Sequence, residues 1–342
     1  MNDLIIPSKF AESFPTITEG LKKAVNIFNS IKSFEDIENV FLKGAGLSQE
    51  TYRSYLQAIK QFYEYTNGLN PLQVKPRHIE AFYDDLVKKV DRNTACLRIQ
   101  GLKRFFKGIR NVIPFYTSPF EIMDEKLKKK LSRKKKDRTK KALNIRETKE
   151  IFKLLKSDKT LKGKFDYAIA YFLVNSGLRA FELLQLRWKD IEESEESEGF
   201  IYAYFTGKGN KPDKQEIPPE ALKAVKDYFK SYFKRDPKPD EYLFYTLPRY
   251  PGEPPRRLEY QTLYNHIRWI GEKVKEAGIL KRDIQFTPHL FRRTYASLLY
   301  KKGMKLKAIQ EKTRHASIET LVNHYIDDSE PATPYLKAVF AI

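Results

Sequence analysis

The stretch TRHASIETLVNHYID, Thr313 to Asp327, is the one around which the rest of the chain is organised. It places His315 ten residues before Tyr325. A tyrosine has a pKa near 10 and is a weak nucleophile at neutral pH unless neighbouring groups remove its proton and stabilise developing charge. If Tyr325 is a nucleophile, cationic side chains elsewhere in the chain must provide that help.

Upstream of this stretch, the segment HLFRRTYAS carries a second histidine and an arginine. His289 precedes Arg292 by three residues, and Thr287 and Pro288 fit the N-cap and the first position of a helix. Residues three apart lie on one helix face, so we expect both side chains to point at one phosphate. A pair of guanidiniums could clamp phosphate oxygens bidentately without a metal.

Two earlier segments supply the remaining candidate groups. GLRAFEL contains a second arginine, Arg179, and the acidic Glu182 three positions later. GKGNK places Lys208 in a glycine-flanked turn, which is a mobile mount for a proton donor. Because this turn holds several lysines, Lys211 and Lys214 stay open as alternatives to Lys208.

The charge balance predicts a polyanionic partner. Lysine and arginine total 64 against 44 aspartate and glutamate, which gives a net charge of +20 in 342 residues. Nucleic acid held through phosphate contacts is the first candidate, and an anionic membrane surface is the second. The length favours two or three domains.

Several classes of protein are not indicated. Cys96 is the single cysteine, so no internal disulfide is expected, and no cysteine and histidine cluster has zinc spacing. The chain shows neither a basic leader followed by an apolar core nor an apolar run of about 18 residues. We therefore expect a soluble, cytoplasmic protein without a metal site.

The N-terminal part predicts a small helical bundle. Apolar residues recur at helical spacing from Tyr52 to Tyr63, after Pro76, and from Asn93 to Ile109. The outer face of the third helix is basic and could lie along a DNA backbone, although a solvated charged face is an equally good interpretation. The candidates on this face are Arg98, Lys103, Arg104, Lys107 and Arg110.

The segment Lys126 to Lys141 holds eleven basic residues and one acidic residue. Such a run is usually an extended, solvated tether, and one of this charge would be drawn to a duplex. We interpret it as an interdomain linker that also contacts DNA; a localisation signal is a weaker alternative. The contact candidates are Arg133, Lys134, Lys135, Lys136 and Arg138.

A second domain is predicted to begin with Asn144 as a helix N-cap. A largely apolar, buried helix follows near 165–176, and LRAFELLQLRWKDI reads as another helical stretch. The strand FIYAYF, the turn GKGNKPDKQ and a return strand from Glu216 predict a β-hairpin among helices.

Taken in chain order, these motifs resemble those of the tyrosine recombinases, the lambda-integrase and Xer type of site-specific DNA recombinase. GLRAFEL resembles the first arginine motif, GKGNK the hairpin with the catalytic lysine, HLFRRTYAS the H-x-x-R box and RHASIET the second histidine box. The interval from His315 to Tyr325 fits the pattern. Each motif is weak alone, and the set in this order is a strong resemblance.

The resemblance implies a role for each group. Tyr325 would attack a DNA phosphodiester, and Lys208 would protonate the departing 5′ oxygen. His315 would hydrogen-bond the scissile phosphate, and Glu182 would orient a basic residue. The implied catalytic residues are Arg179, Lys208, His289, Arg292, His315 and Tyr325, with Glu182 in support. Tyr335 is a disfavoured fallback nucleophile, because its interval from His315 is twice as long.

The implied fold is mostly α with a small antiparallel β-sheet (α+β), in which an N-terminal helical-bundle DNA-binding domain precedes a tyrosine-recombinase catalytic domain. The implied activity is cleavage and rejoining of DNA through a 3′-phosphotyrosyl intermediate without metal or other cofactor. The predicted regions are an unassigned extension at 1–34, a helical core-binding domain at 35–120, a basic linker at 121–143, a catalytic domain at 144–328 and a tail at 329–342 for exchange between protomers.

The implied partner is double-stranded DNA with an inverted-repeat site, bound by a homotetramer that exchanges strands through a Holliday junction. The chain could be a monomer away from DNA, no membrane is involved, and nucleoid association is expected. Integration, excision and dimer resolution stay open. The alternatives are a tyrosine-type (IB-like) topoisomerase, which would relax any plasmid, and a catalytically inactive DNA-binding relative.

Two positions depart from the family pattern. Arg314 stands where glycine usually precedes the second histidine, and Arg293 stands where a histidine often follows the arginine. Neither replaces a catalytic group. We expect Arg314 to alter how His315 is held.

Overall fold

The computed structural model describes residues 49–112, 116–132, 142–193, 201–207, 211–315 and 317–325. The chain divides into two compact units, with the boundary between Lys136 and Asp137. Within the described ranges, no helix is both long and apolar enough to cross a membrane. The predictions that fall outside these ranges concern the extension 1–34, Arg133 to Lys136, Arg138, Lys208 and the tail 329–342.

The first unit contains the predicted bundle. Its helices are α1 (Gln49–Tyr65), α2 (Pro76–Lys89), α3 (Arg92–Val112) and α4 (Glu125–Ser132). Aromatic side chains such as Phe62, Phe82 and Phe106 fill its core, with ring centroids of Phe62 and Phe82 5.3 Å apart. The helices α1 to α3 confirm the sequence prediction, since apolar residues at helical spacing form the buried face.

The expectation of an extended tether is wrong for residues 126–132, which belong to α4. Leu127 and Leu131, four residues apart, are buried in the bundle core. Lys130 donates to Glu80 and Asp84 of α2, each at 2.9 Å. The helix α4 is thus amphipathic and stable despite its lysines, because Leu127 and Leu131 lie on the buried face and the charged side chains lie on the solvent side.

The second unit is also mainly helical. Asn144 caps its first helix as predicted, because its side chain accepts from the Glu147 amide at 2.8 Å. The second of its helices is buried along most of its length and lies in the core, as predicted, while Lys162 near its start is exposed. The helices are α5 (Ile145–Ser157), α6 (Leu161–Ser176), α7 (Ala180–Leu183), α8 (Pro219–Phe233), α9 (Tyr260–Glu276), α10 (Pro288–Lys301), α11 (Leu306–Thr313) and α12 (Ile318–Tyr325).

A small antiparallel sheet of three strands lies among these helices, in the order β1 (Ile191–Glu193), β2 (Ile201–Thr206) and β3 (Pro212–Ile217). The predicted hairpin is confirmed, but the return strand begins at Pro212 and not at Glu216. The last four residues of the predicted turn, Pro212 to Gln215, pair with β2 instead, and Gln215 is buried. The strand β1 was not predicted.

The stretch after Gly177 is much less helical than predicted. Only α7 forms there, and a 3₁₀ turn at Trp188–Asp190 then leads into β1. Leu183 and Leu186 are both buried, so the apolar periodicity that suggested a helix comes from packing in an irregular segment. A second sheet consists of β4 (Tyr245–Thr246) and β5 (Arg256–Arg257).

Candidate functional site

Arg179 lies at the N-cap of α7, three residues after Ser176, the last residue of α6. The C-cap of α6 is Gly177, whose φ of 61° is left-handed. A Cβ at Gly177 would lie 2.3 Å from Cδ1 of Tyr295 on α10, so the close approach of α10 to this turn requires glycine. The glycine of GLRAFEL therefore sets the position from which Arg179 projects.

Glu182 is the anionic centre of the site. Its carboxylate is 4% exposed and accepts from the Arg179 amide, from Arg179 Nη1 and from Arg314 Nη2, each at 2.7 Å. Burial opposes the charged form, but Arg314 and Arg179 more than offset it and lower the pKa of Glu182. The carboxylate is ionised at neutral pH and orients two arginines, which is the geometry that its predicted supporting role requires.

Arg292 is deeply buried, with 1% of its surface exposed. Its Nη1 donates to the Gly177 carbonyl at 2.6 Å, and its Nη2 donates to the Thr313 carbonyl. Arg179 Nη2 makes a parallel contact with the Arg314 carbonyl at 3.1 Å. The two arginines thus join the end of α6 to the end of α11 and bring the first and last motifs together.

His289 is exposed while Arg292 is buried. The charge of His289 also acts on His315 and helps to lower its pKa. That His289 and Arg292 point at one phosphate stays a prediction. Side chains three apart on a helix differ by about 60° around its axis, and packing decides which of them turns inward. Here α10 packs against α6, and Arg292 is on the buried side of α10.

His315 is buried next to the two arginines and hydrogen-bonds Thr313. Its Nδ1 lies 2.7 Å from Thr313 Oγ1, and that hydroxyl donates its proton to the Ile309 carbonyl at 2.5 Å. Since a hydroxyl has one proton, Nδ1 must be the donor to Oγ1, and in the neutral ring Nε2 is then an acceptor. Burial and the charges of Arg292, Arg179 and Arg314 lower the pKa of His315 to about 4, so the ring is neutral at pH 7.

The first testable prediction concerns this ring. In ¹⁵N NMR of the DNA-free protein, His315 should stay neutral down to about pH 4 and carry its proton on Nδ1. Its pKa lies below the unfolded value of 6.5, so its contribution to the free energy of unfolding is complete above about pH 6.5 and is lost as the pH falls towards 4.

A Thr313→Val variant removes the acceptor for Nδ1–H and should shift the ring towards the Nε2–H tautomer, whereas Thr313→Ser should keep the wild-type tautomer. Titration of His315 near pH 6.5, or an Nε2–H signal in the wild type, would contradict this arrangement.

Tyr325 is the last residue of α12, and the structure describes its backbone but not its side chain. The helix α12 is anchored by Leu321, which is fully buried against Ala296 of α10 and Ile309 of α11. It therefore packs on the helix that carries Arg292. The structure brings Arg179, Glu182, Arg292 and His315 together, and His289 is close enough to act electrostatically on His315. Lys208 and the Tyr325 side chain lie outside the described part of the chain.

Sequence reasoning missed two members of the cluster. Gln215 was assigned to a turn, yet it is 3% exposed and its amide joins Arg314 Nη1 at 2.7 Å to the Tyr295 hydroxyl at 3.2 Å. Thr313 orients His315. Arg314 stands where the family pattern has glycine, and a buried arginine needs polar partners such as Gln215, so Arg314 was the available signal for Gln215. No pattern in the sequence marked Thr313.

The basic face predicted for DNA contact lies on α3 in the first unit. Lys103, Lys107 and Arg110 are exposed, whereas Arg98 and Arg104 are half-buried. Arg110 forms an ion pair with Glu121. A contact between this face and DNA stays a prediction.

Comparison with known proteins places these observations in context. Residues 141–331 match the phage integrase family, and residues 35–111 match the N-terminal SAM-like domain of phage integrases. The tyrosine recombinase XerC of Leptospira interrogans is 25% identical over 321 residues, which are 92% of this chain and 91% of the relative.

Two groups of solved structures show the same fold. The XerH recombinase bound to palindromic difH has a TM-score of 0.66 at 18% identity and covers 94% of this chain and 88% of its own. A lambda integrase tetramer bound to a Holliday junction has a TM-score of 0.59 at 19% identity, covering 87% of this chain and 78% of its own. The predicted fold class, mostly α with a small antiparallel sheet, is confirmed.

Proposed function

We propose that this chain, which belongs to the phage integrase family of tyrosine recombinases, is a site-specific DNA recombinase. The observation that carries the proposal is the buried cluster in which Glu182 fixes Arg179 beside His315 and Arg292. Three motifs that are far apart in the sequence thus meet in one unit, and their net charge suits a phosphodiester.

The proposed reaction has two transesterification steps. The Tyr325 oxygen forms a bond to the scissile phosphorus, its proton is taken up by a base, and the bond from phosphorus to the 5′ oxygen breaks. Lys208 supplies the proton that the leaving oxygen needs. The product is a 3′-phosphotyrosyl link and a 5′ hydroxyl. Because the link keeps the phosphoester energy, a 5′ hydroxyl from another strand can reverse the step without a nucleotide cofactor.

The site geometry supports different tasks for the two arginines. The Arg179 side chain is 30% exposed, so it can meet the non-bridging oxygens of a phosphate while Glu182 holds its other edge. Arg292 is committed to two backbone carbonyls, so its main task is to hold the two loops in register. The positive charge of Arg292 would still stabilise the phosphate, because charges interact more strongly in the protein interior than in water.

The neutral His315 ring supports a role in proton transfer. Thr313 Oγ1 accepts from His315 Nδ1–H, so Nε2 is left as a proton acceptor. In the proposed reaction, the proton that Nε2 accepts comes from the Tyr325 hydroxyl. Once protonated, Nε2 becomes a donor to a phosphate oxygen, which is the role predicted from the sequence. His289, exposed on α10, is the second candidate for taking the proton.

We further infer that the active form is a tetramer on two inverted-repeat sites that exchanges strands through a Holliday junction. The lambda integrase tetramer on such a junction supports this, since it shares the fold. The net charge of +20 supports tight, salt-dependent binding of the duplex. A topoisomerase of the tyrosine type would share the chemistry without selecting a site.

The test is covalent trapping on nicked suicide duplexes with randomised arms, in the presence of EDTA. The wild-type protein should form an adduct that survives denaturant, and sequencing of the trapped DNA should yield an inverted repeat. Trapping without sequence enrichment, together with relaxation of any supercoiled plasmid, would favour the topoisomerase. No adduct from any duplex in the pool would overturn the proposed reaction.

A further inference from the structure

Arg314 has a backbone conformation that normally belongs to glycine. Its φ is 54°, directly after α11, and a side chain in this left-handed region carries strain. The tyrosine-recombinase pattern has glycine here, so this chain departs from the residue that the backbone favours. Contacts made by the arginine side chain must offset that strain.

The guanidinium of Arg314 joins two segments, α7 and β3, that are far apart in the sequence. Nη2 donates to Glu182 Oε2 of α7 at 2.7 Å, and Nη1 donates to Gln215 Oε1 of β3 at 2.7 Å. Nε lies 3.5 Å from Asp213 Oδ2, and the side chain is 14% exposed. Both terminal nitrogens are thus hydrogen-bonded to protein, whereas Nε contacts Asp213 as an ion pair without a hydrogen bond.

These contacts fall at one place on the hairpin. Phe205 and Asp213 are directly paired across β2 and β3, one pair before the end of the ladder at Thr206 and Pro212. The Arg314 guanidinium lies over the Phe205 ring at 4.7 Å and beside the Asp213 carboxylate. The Arg314 guanidinium therefore contacts both strands near the end of the hairpin. Lys208 lies in the sequence between these two strands.

A second link runs in parallel. Lys312, two residues earlier, pairs with Glu216 Oε2 of β3 at 2.5 Å. The end of α11 thus contacts three positions of β3, with Asp213 and Gln215 on one face of the strand and Glu216 on the other. Of the two basic side chains that contact β3 here, Arg314 also bonds Glu182, whereas Lys312 makes no hydrogen bond or ion pair with it among the described residues.

We propose that Arg314 is a positioning residue that clasps strands β2 and β3 to the Glu182 carboxylate and so holds the hairpin in register with the arginine cluster. The inference rests on the proposed function, because it assigns the hairpin the task of presenting Lys208 to the leaving 5′ oxygen. Glycine at this position would relieve the backbone but leave the hairpin and Glu182 unconnected.

The chemistry gives a selective readout. A bridging 5′ oxygen leaves as an alkoxide unless an acid protonates it, whereas a bridging 5′ sulfur leaves as a thiolate, because thiols have a pKa of about 8.5. A variant that misplaces the acid should therefore be slow with oxygen and nearly normal with sulfur. A variant that only weakens folding or DNA binding should be slow with both.

The variants are Arg314→Gly, which suits the backbone, and Arg314→Lys, which keeps the charge without the planar fork. Arg268→Ala, on the exposed face of α9, is the matched control for loss of one positive charge. At saturating concentrations of the suicide duplex with a 5′-bridging oxygen, Arg314→Gly should cleave at least about 10-fold slower than the wild type, since general-acid catalysis contributes about 10²-fold or more. With the duplex that has a 5′-bridging sulfur, the rate should stay within about 3-fold of the wild type, because the sulfur leaves without an acid. Arg314→Lys should show a smaller selective loss.

Equal losses on both duplexes, or a loss no greater than that of Arg268→Ala, would overturn the clasp. Hydrogen exchange on the DNA-free protein gives an independent decision: in Arg314→Gly, the amides of β2 and β3 near the turn should exchange faster while those of α9 stay unchanged. Unchanged exchange in the hairpin would also overturn the clasp. A wild-type protein that forms no adduct with either duplex would instead overturn the proposed function, and the exchange result would still decide whether the clasp exists.

Discussion

A Tyr325→Phe variant is expected to form no covalent adduct with a duplex that traps the wild-type protein. The change removes the single oxygen that bonds to phosphorus and leaves the ring, so α12 should keep its packing through Leu321. Loss of the nucleophile should lower the cleavage rate by at least about 10⁴-fold, while the affinity for DNA should stay within a factor of about 2. Denaturing gels measure the first quantity, and gel-shift titration measures the second.

The matched control is Tyr335→Phe, since Tyr335 is the other tyrosine that follows His315 in the C-terminal segment. It should form adduct at a rate close to that of the wild type. Mass spectrometry of the trapped peptide should place the phosphodinucleotide on Tyr325. An adduct that persists in Tyr325→Phe and disappears in Tyr335→Phe would move the nucleophile to Tyr335 and overturn the assignment of the stretch Thr313 to Asp327.

The sequence predicted those helices whose stability depends on a local apolar face. In α2, for example, Ile79, Phe82 and Leu86 are spaced so that they fall on one side, and all three are buried. Two of the errors, the extended tether at residues 126–132 and the late start of the return strand, have a common cause. The lysines around Leu127 and the charges of β3 dominate the composition, whereas the buried leucines of α4 and the pairing of β3 with β2 are tertiary contacts that composition does not show.

The candidate site was predictable in its residue types but not in its geometry. Motif order singled out Arg179, Glu182, Arg292 and His315, and the structure brings these four together. The inward direction of Arg292 depends on how α10 packs. The pair of Glu182 with Arg314 joins residues 132 positions apart, and no pattern in a single sequence reports such a contact.

An Arg292→Ala variant is expected to lose both stability and activity, whereas Arg179→Ala should lose mainly activity. Removing Arg292 leaves the carbonyls of Gly177 and Thr313 without these donors in the interior and opens a cavity. Each unsatisfied buried group costs about 1–3 kcal/mol, so we expect the free energy of unfolding to fall by about 2–5 kcal/mol. Thermal and urea denaturation of the two variants against the wild type measure this directly.

Arg179→Ala is the sharper probe of chemistry, because its side chain is partly exposed and Arg314 still pairs with Glu182 when it is removed. Its stability should change by no more than about 1 kcal/mol. Its cleavage rate should still fall by about 10²–10³-fold, as expected for the loss of one group that stabilises developing charge. If Arg292→Ala melted at the wild-type temperature, its carbonyl contacts would not hold the loops together. If Arg179→Ala cleaved DNA at the wild-type rate, the exposed guanidinium would not be the one that meets the phosphate. A stability loss confined to Arg292 with a rate loss in both variants is the result that separates the residue holding the site from the residue facing the substrate.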